Sequence, residues 1–388
     1  MSFRLHGSYR HRAKNLWDLV CASTAVAVRR ARGAPLRETW SLEFEAANNF
    51  SRYQMRRALS MASVAEAREL IDSIRFNSPL PERIGIHDST MSSVKGVWLE
   101  PDSRKSDRTI LYFHGGGYAF FAKAHINMIG HIASAAKART FALDYRLAPE
   151  HPYPAQLEDA YAAYEALLDS KCEPRNLILA GDSAGGHLVL SLLDRLRKSH
   201  AALPALGVCL CPWTEIGGST SALYDNDHYD WVQGAHTQHF ARLLIGSASP
   251  AAMSISPMDF DIAGFPPLYV QAGGREALFD MIVRFANRVA DAGSEITLDV
   301  WPEMTHDFQA YGEFLQESKQ ALARIGDAVE HYLDDSRETQ MHASQNTLLQ
   351  HHRARAHHCT QEACSTTQDR PAHLPFDPIS HYTKGLTK

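Results

Sequence analysis

Residues 176–190 read NLILAGDSAGGHLVL, and the run divides into three unlike parts. Residues 177–180 form a short apolar stretch of the kind found in strands buried on both faces, and residues 185–190 begin a helical pattern. Between them stands G-D-S-A-G, residues 181–185, with Gly186 behind it. Glycine at both ends of so short a joint lets the backbone turn sharply and lets other groups approach it closely. A serine at the tip of a strand–turn–helix joint is in the context of a nucleophile elbow. The expected nucleophile is therefore Ser183, with the N–H of Ala184 next to it at a helix N-terminus.

On either side of this run, strands and helices alternate. Strand patterns occupy 94–101, 108–113, 139–149, 206–213, 266–273 and 296–302, and helical patterns occupy 125–138, 154–170, 277–293 and 318–335. Alternation of this kind implies an α/β fold with a mostly parallel sheet flanked by helices, and ligands bound at the carboxyl ends of the strands. Residues 1–85 are expected to be a helical segment, because 37–76 carries apolar residues at three- and four-residue spacing; the core is expected to span 86–335. Within it, residues 213–252 interrupt the alternation and read as an insertion over the site. Residues 336–388 lack apolar periodicity and read as a disordered tail. Four histidines and two cysteines in HHRARAHHCTQEAC, within that tail, match no tetrahedral zinc spacing.

Composition narrows the partners. With 39 basic against 44 acidic residues and a net charge of -5, nothing favours nucleic acid. Six cysteines in 388 residues do not form a dense disulfide framework, which points to the cytoplasm. The apolar run at 16–33 contains Asp18, so it reads as an amphipathic helix rather than a leader, and no run is long enough for stable membrane insertion. A homodimer is compatible with the sequence.

A serine is a weak nucleophile until a base takes its proton and donors stabilise the oxyanion. FHGGGY, residues 113–118, offers consecutive amides, of which Gly115 and Gly116, with Ala184, are the expected oxyanion donors. For the base, His306 in PEMTHDF follows a strand, downstream of the serine. His187 lies one turn along the helix from Ser183 and is expected to pack there. For the acid, Glu276 lies in the turn after the strand 266–273 and is preferred to Asp280, whose place in a first helical turn suits the helix dipole. The aromatic residues Tyr118, Phe120 and Trp213 are expected to line the substrate pocket. Cys209 and Cys211, two apart on a strand, are expected to be buried together as small apolar residues.

Taken together, HGGGY, DYRLAPEHPYPAQLED, GDSAGG, GFPPLYVQAGGREALFD and MTHDF resemble the hormone-sensitive-lipase-like α/β-hydrolases, the bacterial family IV esterases, over about residues 94–334. The resemblance implies an α/β-hydrolase fold with a helical cap. It implies a carboxylesterase-type serine hydrolase. An aromatic pocket roofed by a packed helical layer has limited length, so short- to medium-chain acyl esters or a small lactone are the expected substrates, and the serine mechanism needs no cofactor and no metal. The resemblance also implies that DYRLAPE braces the glycine loop. The chain departs from many members in having Glu276-Ala277 where they have aspartate and proline. The alternative is a catalytically silent ligand-binding protein on the same fold; such relatives typically lose the histidine, whereas His306 is present.

Overall fold

The structure, a computed structural model, describes residues 2–105, 107–121, 125–218, 220–246 and 255–333. The expected tail at 336–388 and residues 247–252 of the expected insertion lie outside the described residues. The first part of the chain gives β1 (Ser2–Leu5), α1 (Tyr9–Ala31), α2 (Leu42–Leu59), α3 (Val64–Asp72) and β2 (Ile74–Asn77). There follow β3 (Ile84–Met91), β4 (Val94–Pro101), β5 (Thr109–Phe113), α4 (His125–Ala136), β6 (Arg139–Leu143), α5 (Ala155–Asp169), β7 (Leu177–Asp182) and α6 (Ala184–Lys198). The rest is β8 (Leu206–Leu210), α7 (Ala222–Asp225), α8 (Gly234–Ile245), β9 (Leu268–Gly273), α9 (Phe279–Asp291), β10 (Ile296–Trp301) and α10 (Gln316–Leu333).

Eight of these strands form one sheet in the order β10-β9-β8-β7-β5-β6-β4-β3. The pairs from β10 through to β6 are parallel, and β4 and β3 add an antiparallel edge. Every residue of β5, β7, β8 and β9 is buried, as a sheet covered on both faces requires. One face packs on α5, α6 and α9 through Tyr164, Leu188, Leu192 and Phe285. The other packs on α4 and α10 through Ile129, Ile132, Ile325 and Val329. Register sets the level of the site: Phe113 is opposite Gly181, and Asp182 is opposite Leu210. The loops leaving β5, β7 and β8 therefore emerge together at one edge.

The first 78 residues are not all helix. β1 and β2 pair antiparallel, Ser2 with Asn77 through Leu5 with Ile74, and four-residue strands are too short to announce themselves by periodicity. β3 is a second addition, so the core sheet begins at Ile84. It is an edge strand with little buried on either face, and it shows no alternation to read.

Among the described residues, no helix is long and apolar enough to cross a membrane. α1 covers most of the apolar run at 16–33, but its inward stripe starts as His11, Asn15 and Asp18 and turns apolar only at Ala22 and Val26, while Trp17 is 66% exposed. Asp18 is held by the guanidinium of Arg57 from α2. Asn15 donates to the Leu70 carbonyl at 2.9 Å and to Ser73 Oγ at 2.7 Å.

Candidate active site

Ser183 sits between the last residue of β7 and the first of α6 with φ 53° and ψ −116°, a left-handed conformation that L residues rarely adopt. The turn is tight enough that a Cβ on Gly185 would stand 1.9 Å from the Phe113 carbonyl oxygen, so only glycine fits. The conformation is fixed by the neighbouring strand: Ser183 N–H donates to the Leu210 carbonyl at 2.8 Å, and Trp213 N–H donates to the Ser183 carbonyl at 3.1 Å.

His306 and Glu276 reach Ser183 from the loops after β10 and β9. His306 Nε2 lies 2.9 Å from Ser183 Oγ, and His306 Nδ1 lies 2.7 Å from Glu276 Oε2. With Glu276 accepting from Nδ1–H, Nε2 is left to accept the serine proton. The second oxygen of Glu276 accepts from Gly273 N–H at 2.8 Å. Asp280, the other carboxylate weighed for this place, lies on the first turn of α9 and accepts from Arg284 at 2.8 Å.

Burial alone would pull the His306 imidazole down, but the carboxylates of Asp307, Glu276 and Asp230 outweigh it and raise the group above its ordinary value. Asp307 stands next in the chain with Oδ2 3.3 Å from His306 Nε2, and burial pushes its own carboxyl up.

The glycine loop corrects one expectation. Gly115 N–H donates at 3.0 Å to Oδ2 of Asp182, and a Cβ on Gly115 would stand 2.2 Å from that oxygen. Its amide is therefore taken and does not face the site. The amides of Gly116, Gly117 and Ala184 donate to no partner among the described residues, and Gly116 and Gly117 line the cavity beside Ser183. Of the loop glycines, Gly116 and Gly117, not Gly115, present amides without a described partner beside Ser183.

Asp182 organises this edge. Its other oxygen accepts from the Tyr112 hydroxyl at 2.8 Å, and His125 Nε2 lies 3.3 Å from Oδ2. Burial would raise the carboxyl, but His125 and the Tyr112 hydroxyl hold it below its usual range. DYRLAPE braces the loop from the other side: the Tyr145 hydroxyl donates to the His114 carbonyl at 2.6 Å, and Ala148 N–H donates to the Tyr118 carbonyl at 2.9 Å. The His114 ring is stacked between Tyr145 and Phe121, and burial pulls it down to about 3, so it stays neutral.

The cavity over Ser183 measures about 170 Å³. Phe120 and Trp213 line it as expected, but Tyr118 does not. The Tyr118 ring is fully buried beneath the loop, and its hydroxyl is bonded to Nδ1 of His187. His187 packs as expected, with Nε2 2.7 Å from the Ile255 carbonyl. Trp231 of the insertion lines the cavity too, an aromatic expected to approach the serine. Sequence reasoning missed most of the wall: Gln54 and Met55 of α2, Ile71 of α3 and Phe240 of α8 face the cavity. These contributions come from both the N-terminal helices and the insertion.

Cys209 and Cys211 are both buried, but they enter different clusters because Cys211 lies beyond the end of β8 at φ 46°. Ligand atoms of Cys211, Glu276 and His306 lie within 4.8 Å of one another. A metal there would have to break the Glu276–His306 hydrogen bond, and burial keeps the Cys211 thiol protonated.

Residues 110–310 match the family described by the alpha/beta hydrolase fold. An acetyl-hydrolase of Streptomyces hygroscopicus is 35% identical over 241 residues, which are 61% of this chain and 80% of the relative. An esterase of Acinetobacter venetianus is 29% identical over 268 residues, covering 67% of this chain and 86% of the relative. Among solved structures, an esterase from the bacterial hormone-sensitive lipase family is 36% identical, with a TM-score of 0.66, over 72% of this chain and 98% of that one. The esterase EstE5, soaked with p-nitrophenyl butyrate, is 29% identical, with a TM-score of 0.66, over 73% and 98%.

Proposed function

We propose a serine acyl-transfer mechanism for this chain, which belongs to the alpha/beta hydrolase fold family, among the bacterial hormone-sensitive-lipase-like esterases, and is a carboxylesterase-type hydrolase. The observation that carries the proposal is the continuous line Ser183 Oγ–His306 Nε2, His306 Nδ1–Glu276 Oε2, at 2.9 and 2.7 Å. His306 takes the proton as Ser183 attacks the ester carbonyl, and Glu276 stabilises the imidazolium that forms. The oxyanion faces the amides of Gly116, Gly117 and Ala184, which have no other partner among the described residues to give up. His306 then protonates the leaving alcohol, and water repeats the sequence in reverse to release the acid.

Cavity size supports a short- to medium-chain acyl ester or a small lactone as substrate. A cavity near 150 Å³ takes a benzene-sized molecule, so about 170 Å³ suits an acyl group of about six carbons. Phe120, Trp213 and Phe240 give it apolar walls. The N-terminal helices and the insertion act as a cap that limits chain length. Cys21, Cys172, Cys209 and Cys211 are free thiols, which supports a reducing cytoplasm.

Purified protein assayed on p-nitrophenyl esters of two to sixteen carbons tests the reading. The expected kcat/KM peaks at short to medium chains, with an acyl adduct on Ser183 in quenched reactions. A steady rise to sixteen carbons overturns the closed cavity, and an adduct elsewhere overturns the mechanism.

A further inference from the structure

Glu276 and His306 stand on separate loops, after β9 and β10, and loops are where a fold is least rigid. Their 2.7 Å bond therefore needs both backbones held. One short stretch, residues 226–231 of the insertion, does much of this. The two carboxylate oxygens of Asp230 are divided between the loops: Oδ2 accepts from Ala277 N–H at 2.8 Å, and Oδ1 accepts from His306 N–H at 3.1 Å. Asn226 Nδ2 donates to the Glu276 carbonyl at 3.0 Å, and Trp231 Nε1 donates to the His306 carbonyl at 2.8 Å. The peptide group that follows the acid, and the main-chain groups on both sides of the base, are thus held by the same six residues.

Asp230 is fully buried, and burial pushes its carboxyl up to about 7 against the His306 imidazole and the two amides. An apolar residue would avoid that cost, but it could not accept from two amides that converge on one point. An asparagine there would accept one amide and turn its own NH₂ on the other. The stretch is in turn held by α2: Asn48 Nδ2 donates to the Tyr229 carbonyl at 2.7 Å, Arg52 Nε donates to the Asp230 carbonyl at 3.1 Å, and the same guanidinium donates to the Asp227 carbonyl.

We propose that Asp230 is a positioning residue for the acid–base pair, tying the Glu276 turn to the His306 loop, with α2 holding the tie in place through Asn48 and Arg52. The proposal rests on the reading of Ser183, Glu276 and His306 as the triad. It makes the N-terminal helices part of the catalytic apparatus as well as the pocket wall, although none of their residues touches the triad side chains in this role.

The test compares Asp230→Ala and Asp230→Asn with the native enzyme and with Ser183→Ala, using a short acyl ester and checking folding by circular dichroism. Lost positioning lowers kcat and leaves ground-state binding alone. Asp230→Ala should reduce kcat on the order of 30-fold or more with KM within about threefold, with Asp230→Asn between it and native. The downfield proton resonance of His306 Nδ1–H, the mark of its bond to Glu276, should weaken in the same order. If the alanine variant does not fold, the asparagine variant, which keeps one acceptor, decides. Folded variants with kcat within about threefold of native, or with the whole change in KM, overturn the proposal. Full activity in Ser183→Ala would instead overturn the triad.

Discussion

Helices α6 and α1 are both well formed and both packed, yet they are held in opposite ways. α6 buries Leu188, Val189, Leu192, Leu193 and Leu196 against the sheet. α1 turns His11, Asn15 and Asp18 inward and leaves Trp17 exposed. Polar links recur through the layer that α1 belongs to: Arg57 with Asp18, Arg29 and Arg30 with the buried Glu45, and Arg37 with Glu303 at 2.7 Å. Close-packed apolar area is indifferent to pH, whereas buried carboxylates paired with arginine are not. The sheet and the helical layer above it should therefore respond to different perturbations.

The largest expected effect lies on the sheet side. Ser183→Ala should lower ester hydrolysis on the order of 10⁴-fold or more while the melting temperature stays near native, measured by initial rates and by thermal unfolding. Glu276→Gln should follow, with a loss on the order of 10³-fold from a mis-set imidazole, whereas Asp280→Asn should stay within about threefold. The opposite ranking in folded variants would make Asp280 the acid.

A third expectation concerns pH. The base must be neutral to accept the serine proton, and its pKa is raised, so activity climbs as pH rises through that raised value. The acidic limb of kcat/KM should lie above the ordinary imidazole value of about 6.5. Asp307→Asn removes the foremost of the charges that raise His306 and should shift the limb down by about one pH unit. A limb at or below 6.5 in the native enzyme would mean that the surrounding carboxyls are uncharged in the working state.

The smallest effect sharpens the contrast on the helical side. Glu45 accepts from Arg29, Arg30 and the Leu36 amide, and although burial works against its charge, these partners hold its carboxyl below the usual range. A lowered carboxylate adds stability that is complete above its unfolded pKa and lost as pH falls through the folded one. Hydrogen exchange should accordingly quicken in α1–α3 below about pH 4 before it quickens in β5, β7 and β8. Glu45→Gln should bring this loosening to neutral pH at a cost of about 2 kcal/mol. Simultaneous exchange in both regions would show that the layer and the sheet unfold as one unit.

The same contrast explains what could be read from the sequence. Alternating apolar strands and helices announce a covered parallel sheet, and Ser183, Glu276 and His306 stand in short local patterns just past its strands. Three residues of the site depend instead on partners far along the chain. Whether the Gly115 amide faces the cavity is decided by Asp182, 67 residues away. Tyr118 turns under the loop because His187 waits there, 69 residues on. Asp230 lies in a stretch with no periodicity, and its meaning appears only when two other loops arrive beside it. In the first half of α1 the inward residues His11, Asn15 and Asp18 are polar, so hydropathy gave no guide there to which face is buried.

Ser183 is held at φ 53° by the groups around it, and a residue with a Cβ resists that conformation. Such strain costs about 1–3 kcal/mol, which the native fold carries at this serine. Ser183→Ala keeps the Cβ and therefore keeps the strain, whereas Ser183→Gly releases it. The glycine variant should outlast the alanine variant in denaturant by about 1 kcal/mol, after the entropy of its freer unfolded chain is subtracted. On the proposed mechanism, turnover and durability therefore make opposite demands on this one position.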